Sequence, residues 1–243
     1  MSVPDIPEGD ILHAAAAAPA VGIDALSPPG ALLIVTPHPD DETLGCGMAL
    51  ASAAAAGRRI AILLLTDGEN SHPNSQQYPR SSRIALRQDE LRHALHALAP
   101  DTEIVLERAG LTDGGSEDEA ACPQFIDHTL RFARTFDPAA IWSTWGGDPH
   151  CDHKAAARIA QAIARDLAIP FWSFAVWGRF GEANVPANLH RFDDEGVRAA
   201  KSAALASYRS QLTALIADDP QGFVMPPLLA EHFRTHAEVF IRE

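Results

Sequence analysis

Cysteine is scarce in this chain: Cys46, Cys122 and Cys151 are the only three in 243 residues, and no CxxC pair occurs. An odd, scattered set excludes a disulfide framework, and a reducing cytoplasm is the expected compartment. Basic residues are also few, 19 against 32 acidic ones, for a net charge of −13. A surface of that sign repels phosphate backbones, so no nucleic-acid partner is expected. No run approaches the roughly 18 apolar residues that a membrane span needs. The N-terminus carries Asp5, Glu8 and Asp10 where an export signal would carry bases. Neither a membrane span nor an export signal is expected. A GxGxxG dinucleotide fingerprint is missing too, since Gly45-Cys46-Gly47 is too short to be one. Repeats and low-complexity linkers are absent.

What is present is apolar material in an alternating order. Hydrophobic residues make up 47% and charged residues 21%, an ordinary globular balance. The length suffices for one α/β domain with a sizeable core. Ala31–Thr36 and Ile60–Thr66 are continuous apolar runs, as expected for parallel strands covered on both faces. Between them, alanine-rich Thr43–Ala56 is expected to be a helix closing at Gly57. The order then repeats: helix Ser81–Leu98, strand Glu103–Leu106, helix Asp118–Thr135, strand Ala139–Thr144, helix Lys154–Leu167, strand Phe171–Val176. Such alternation predicts a doubly wound, mostly parallel, Rossmann-like sheet with helices on both faces. A single domain over residues 1–243 is expected, with an N-terminal helix, a helix at Glu195–Gln211 and a tail from Pro226 packed on it. Asp67–Pro79, Trp145–Pro149 and Trp177–Phe192 are expected to be irregular, at the strand ends where such folds put their chemistry.

Two strand ends carry candidate metal ligands. Thr36-Pro-His-Pro-Asp-Asp-Glu-Thr-Leu-Gly-Cys-Gly47 follows the first strand, and Gly147-Asp-Pro-His-Cys-Asp-His153 follows the fourth. Two histidines and a carboxylate form a set that zinc uses catalytically, with a fourth position open for water. Each stretch alone has a plainer reading. Acids at a helix start favour the macrodipole, and HxxH is a weak signal by itself. Their joint placement at two ends of one sheet favours a metal site.

Pro37-His38-Pro39-Asp40-Asp41-Glu42 resembles the PHPDDE/AHPDDE signature of the PIG-L (LmbE-like) deacetylases, and His150-Cys151-Asp152-His153 is similar to that family's second HxDH signature. The likeness extends to Thr66-Asp67-Gly68, Arg87 with Glu90, Lys201, and Tyr208–Gln211, about residues 31–211 in all. Cys151 departs from it, standing where many relatives have proline, and is expected to pack. The resemblance implies a zinc-dependent N-deacetylase, with Fe2+ as the alternative metal. Its substrate would be an N-acetylated amino sugar or related glycoconjugate, its acetamide attacked by metal-bound water. His38, Asp41 and His153 are the implied ligands and Asp40 the implied general base. His150 is implied to assist the developing oxyanion as an imidazolium donor. Asp148 and Asp152 are candidates to orient these histidines, a helix N-cap being the alternative for each. The resemblance brings Arg87 and Asp113 to the substrate, although Arg80, Arg83 and Arg87 also suit a solvated stripe and Arg87 a pair with Glu90. Trp145 and Trp177 are candidates to stack on a sugar ring, whereas Trp142 and Trp172 are expected in the core. A metallo-amidase for a non-sugar amide and a catalytically silent binding protein are the competing readings. The sequence leaves the oligomeric state open, a homo-oligomer included.

Overall fold

Six- and eight-residue apolar runs separated by amphipathic stretches leave the chain one economical arrangement, strands in the middle and helices outside. The computed structural model describes residues 7–243. Along the chain lie α1 (Asp10–Ala17), α2 (Ile23–Leu26), β1 (Ala31–Thr36), α3 (Asp41–Ala55), β2 (Arg59–Thr66), α4 (Arg80–Leu98), β3 (Ile104–Leu111), α5 (Ser116–Ala120), α6 (Pro123–Phe136) and β4 (Ala140–Thr144). Then follow α7 (Cys151–Leu167), β5 (Phe171–Phe174), a 3-10 turn at Trp177–Arg179, β6 (Leu189–Phe192), α8 (Glu195–Ser207), α9 (Arg209–Leu212), α10 (Pro227–Thr235) and β7 (Glu238–Arg242).

All seven strands form one sheet in the order β3-β2-β1-β4-β5-β7-β6. The first five are parallel, with Ile34 of β1 opposite Ile62 of β2 on one side and Trp142 of β4 on the other. The order reverses between β1 and β4, the switch point where open α/β sheets bind ligands. Alternate side chains enter two cores. Leu32, Ile34, Ile62 and Trp142 pack with α3, α4 and α8, while Leu33, Val35, Leu63 and Ile141 pack with α6 and α7. This is the doubly wound, mostly parallel architecture expected, and Trp142 and Trp172 are buried in it. Among the described residues no helix is long and apolar enough to cross a membrane.

The structure departs from expectation at three helices and in the tail. The helix expected over 118–135 is two, because Cys122-Pro123 restarts it with proline at its first position. The helix expected over 195–211 stops at Ser207, and Tyr208 separates it from α9. The tail does more than pack on a helix. Its last strand, β7, pairs antiparallel with β5 and with β6, which lies inside the segment expected to be irregular. Finally, α3 is kinked at Cys46 (φ −141°, ψ 23°). The backbone groups freed there are met by a buried ion pair. Glu238 of β7 accepts the Met48 and Ala49 N–H groups at 2.6 and 2.9 Å. Lys201 of α8 donates to the Leu44 carbonyl at 3.0 Å and to Glu238 at 2.7 Å.

Candidate active site

Because β1 and β4 are neighbours, the turns leaving their C-terminal ends deliver His38–Asp41 and Asp148–His153 into one crevice. The ring centroids of His38, His150 and His153 lie 4.8, 5.6 and 5.3 Å apart pairwise. Asp41 bridges two of them, with Oδ2 3.0 Å from His38 Nδ1 and Oδ1 3.4 Å from His153 Nε2. Behind each histidine stands a carboxylate. His153 Nδ1 donates to Asp148 Oδ2 at 2.8 Å, and Asp148 is itself fixed by the Gly178 N–H at 2.6 Å. A side chain at Gly178 would meet Asp148 Oδ1 at 2.4 Å, so only glycine allows that approach. His38 Nε2 lies 3.0 Å from Asp152 Oδ2 and 3.3 Å from Asp113 Oδ1. Asp152 also accepts the Gly114 and Ser116 N–H groups at 2.7 and 3.1 Å. The helix N-cap alternative therefore fails for both acids. The cap of α7 is His150, whose Nδ1 accepts the Asp152 N–H at 3.2 Å.

The donor set fits a divalent metal. His153 Nε2 is buried without a hydrogen-bond partner among the described residues, and it faces Asp41 Oδ1. An unpartnered buried nitrogen is costly, and a cation satisfies it. The nitrogen donors of His38, His150 and His153 lie within 4.8 Å of one another. Each of His38 and His153 has its other nitrogen against a carboxylate, the outer support that metal-binding imidazoles use. Charge agrees. Burial alone would lower His153, but Asp41 and Asp148 outweigh it and raise it to about 9. Burial would likewise raise Asp41, yet His153 and His38 hold it well below the usual carboxylate range. The carboxylates here call for positive charge, and nitrogen with carboxylate oxygen is a ligand set that suits zinc.

His150 differs from the expected imidazolium. Burial and the neighbouring His38 and His153 charges bring it down to about 4. With Nδ1 accepting a backbone N–H, its proton sits on Nε2, so it is a neutral donor.

Beside this cluster, burial pushes the Asp40 carboxyl up to about 7, against the pull of Arg87. Arg87 Nη2 donates to Asp40 Oδ2 at 3.0 Å and to the Pro39 carbonyl at 2.8 Å. The Asp40 N–H donates to Glu42 Oε2 at 3.2 Å, and Glu42 is held by the Tyr208 hydroxyl at 2.5 Å. Arg87 thus neither pairs with Glu90, which accepts from Ser210 at 2.7 and 2.6 Å, nor stands free. Arg80 pairs with Glu69, and Arg83 donates to the Glu69 and Tyr78 carbonyls, so the three arginines form no solvated stripe.

A cavity of about 610 Å³ opens from His38, Asp40, Asp41 and His150. Arg87 and Asp113 line it, the latter fixed by the Asn70 N–H at 2.7 Å. Trp177 lines it too, whereas Trp145 lies in a separate depression beside Gly147 and Lys154. Cys151 Sγ packs 3.5 Å from the Gly114 carbonyl. Sequence reasoning assigned no role to Asn70, Gln211, Phe223 or Val224 in the lining, although Asn70 lies in the expected irregular segment Asp67–Pro79 and Gln211 in the stretch Tyr208–Gln211. Phe223 and Val224 carry no local signal and are brought there only by the fold.

Comparison with known proteins agrees with this geometry. A sequence profile of the PIG-L family, described as GlcNAc-PI de-N-acetylase, matches residues 33–164, just over half of the chain. A 1D-myo-inositol 2-acetamido-2-deoxy-alpha-D-glucopyranoside deacetylase of Nocardioides sp. is 27% identical over 207 residues, covering 68% of this chain and 67% of that protein. The chain spans between 49% and 67% of the length of this and two further relatives of the same description. In structure it is similar to the antimicrobial-reagent pseudoaglycone deacetylase Dbv21, with a TM-score of 0.65 and 22% identity over 87% of this chain and 96% of that one. It is also similar to GalB, the 4-carboxy-2-hydroxymuconate hydratase of Pseudomonas putida, with a TM-score of 0.61 and 18% identity over 84% and 82% of the two chains. The fold alone therefore leaves the reaction undecided, and the site must carry that argument. Its two signatures converge at the switch point, and with the profile match they make this chain a member of the PIG-L deacetylase family.

Proposed function

We propose that this protein is a zinc-dependent N-deacetylase that releases acetate from an N-acetylated amino sugar or related glycoconjugate. The observation that carries the reading is the unpartnered, buried His153 Nε2 facing Asp41, with the Asp40 carboxyl alongside. His38, Asp41 and His153 would hold the metal. His150, whose nitrogen belongs to the same group of donors, stays available for substrate. When bound, zinc supplies Lewis acidity that makes water easier to deprotonate and an acetamide carbonyl easier to attack.

The chain's own residues do the rest. Asp40 takes the proton of the attacking water, and a carboxyl raised towards neutrality suits that exchange at ordinary pH. The same proton then passes from Asp40 to the departing amine, so the step balances without another acid. Arg87 fixes the carboxylate through its Nη2. The His150 Nε2–H donates to the oxyanion as a neutral imidazole, an interaction stronger in the transition state than with the amide. Asp113 meets sugar hydroxyls at the cavity wall. The relatives' substrates support a small molecule, and the shared sheet supports one domain. Cys46, Cys122 and Cys151, all unpaired, support a reducing cytoplasm.

The test is acetate release from a panel of N-acetyl sugars and simple amides, with and without chelator, alongside metal analysis. About one divalent metal per chain is expected, lost in Asp41→Ala together with activity. Release from no member of the panel, or full activity without metal, overturns the reading.

A further inference from the structure

We infer that Trp177, Phe223 and Val224 form an apolar subsite in the active-site cavity and select a substrate whose aglycone is uncharged and apolar, aryl or alkyl. The inference rests on the deacetylase reading of the metal end.

Two sets of side chains stand out in the lining: His38, Asp40, Asp41, Asp113 and His150, and the apolar Trp177, Phe223, Val224 and Pro226, with Asn70, Ser71, Gln211 and Gln221 also in it. Val224, in the lining, is 42% exposed and is one of four exposed large hydrophobic residues among the described ones. Beside Trp177 and Phe223 it makes an apolar part of the lining, which an apolar group of the ligand would cover.

An anionic aglycone finds no partner there. Arg87 is the one arginine or lysine in the lining among the described residues, and its guanidinium is already engaged by Asp40 and the Pro39 carbonyl. Asp113 and Asp40 add negative charge to the wall. A phosphate or carboxylate would lose its water for no compensating contact.

The apolar wall is preformed. Asp218 accepts the Gln76 and Gln77 N–H groups at 2.7 and 2.9 Å, and Asp219 accepts the Asn74 N–H at 2.8 Å. The Phe223 N–H donates to the Ser71 carbonyl at 2.7 Å. Gly222 lets the segment lie on the buried His72 ring, where a Cβ would approach to 2.0 Å. The Trp177 ring meets Phe223 edge to face at 5.9 Å and Phe233 at 6.1 Å. A wall clasped in this way presents its apolar face without first having to be ordered.

Two measurements on the metal-replete protein separate this inference from the reaction. The first is kcat/KM for acetate release from phenyl N-acetylglucosaminide, free N-acetylglucosamine and N-acetylglucosamine 1-phosphate. The second is calorimetric binding of phenyl glucoside and glucose 1-phosphate, which carry no acetamide. The phenyl ligand is expected to lead the phosphate by about tenfold or more in both. Val224→Asn, neutral and at an exposed position, should shrink that lead, and Val224→Arg should turn it towards the phosphate. Acetate release without a phenyl preference overturns the subsite and leaves the deacetylase. A phenyl preference in binding without acetate release from any sugar keeps the apolar selection and overturns the deacetylase. An unchanged preference in Val224→Asn also overturns the assignment.

Discussion

Asp40 adopts φ 156° and ψ −25°, a backbone conformation that L residues rarely take, and the chain around it is arranged to hold it there. Its N–H is tied to Glu42, its carboxylate to Arg87, and Arg87 in turn to the Pro39 carbonyl. Local strain of this kind costs on the order of 1–3 kcal/mol and persists where surrounding contacts over-determine it. Two expectations follow at this scale. Asp40→Asn should keep the metal and lose about 10²–10⁴-fold in turnover, the usual contribution of a general base. Near wild-type turnover in that variant removes Asp40 from the mechanism. Arg87→Lys keeps the charge but loses the planar guanidinium, whose Nη2 serves Asp40 and the Pro39 carbonyl while Nη1 meets the Gly68 carbonyl. It should therefore lower kcat with KM little changed. A rise in KM at constant kcat shows instead that Arg87 binds substrate.

At the scale of elements, the device to notice is the splice across the α3 kink. The first turn of α3 carries Asp41, and the Lys201–Glu238 pair ties the break behind it to α8 and β7. Burial lowers Lys201, and Glu238 opposes that shift. Lys201→Met would leave Glu238 buried without its cation, which typically costs about 3–5 kcal/mol. For a chain of this size that corresponds to a Tm lowered by roughly 6–20 °C. The double variant Lys201→Met with Glu238→Gln should recover part of the loss, because the uncompensated charge is gone. Additive losses in the double variant show that the pair does not act as a unit. This device was also the hardest to foresee. β1, β2, β4 and β5 are legible as apolar runs, and the two ligand motifs are contiguous, so the crevice they form could be placed at a switch point from sequence. Glu238-Val-Phe-Ile-Arg242 is short, lies far along the chain from its β5 partner, and starts with a buried acid whose role depends on a kink nearly 190 positions away. The cavity wall at Gly222–Pro226 is illegible for the same reason: Asp218 and Asp219 place it by contacts with residues 74–77. Local pattern reports local structure, and these placements are long-range.

For the molecule as a whole, two effects compete as pH falls from 7. The net charge of −13 relaxes towards zero near the sequence pI of about 5.2, which relieves self-repulsion and favours the folded state. His232 of α10 acts the other way. It is 2% exposed, and both ring nitrogens lack hydrogen-bond partners among the described residues. Burial, then Arg179, His236 and Lys201, lowers its pKa from 6.5 to about 2. A base whose folded pKa is depressed gives stability that is complete above its unfolded value and is lost as pH falls below it, because the unfolded chain takes up a proton that the folded chain refuses. The slope is about 1.4 kcal/mol per pH unit. Between pH 6.5 and 5 the loss reaches about 2 kcal/mol, or roughly 4–8 °C in Tm for a chain of this length. Wild type and His232→Leu share every other titrating group, the metal-site histidines included, so the difference between their Tm–pH curves isolates this one. The two curves should run at a fixed separation above pH 7 and diverge below 6.5, with the leucine variant the more stable in acid. Parallel curves down to pH 5 would mean that His232 finds a proton partner in the folded state, and that the acid limit of this protein is set elsewhere.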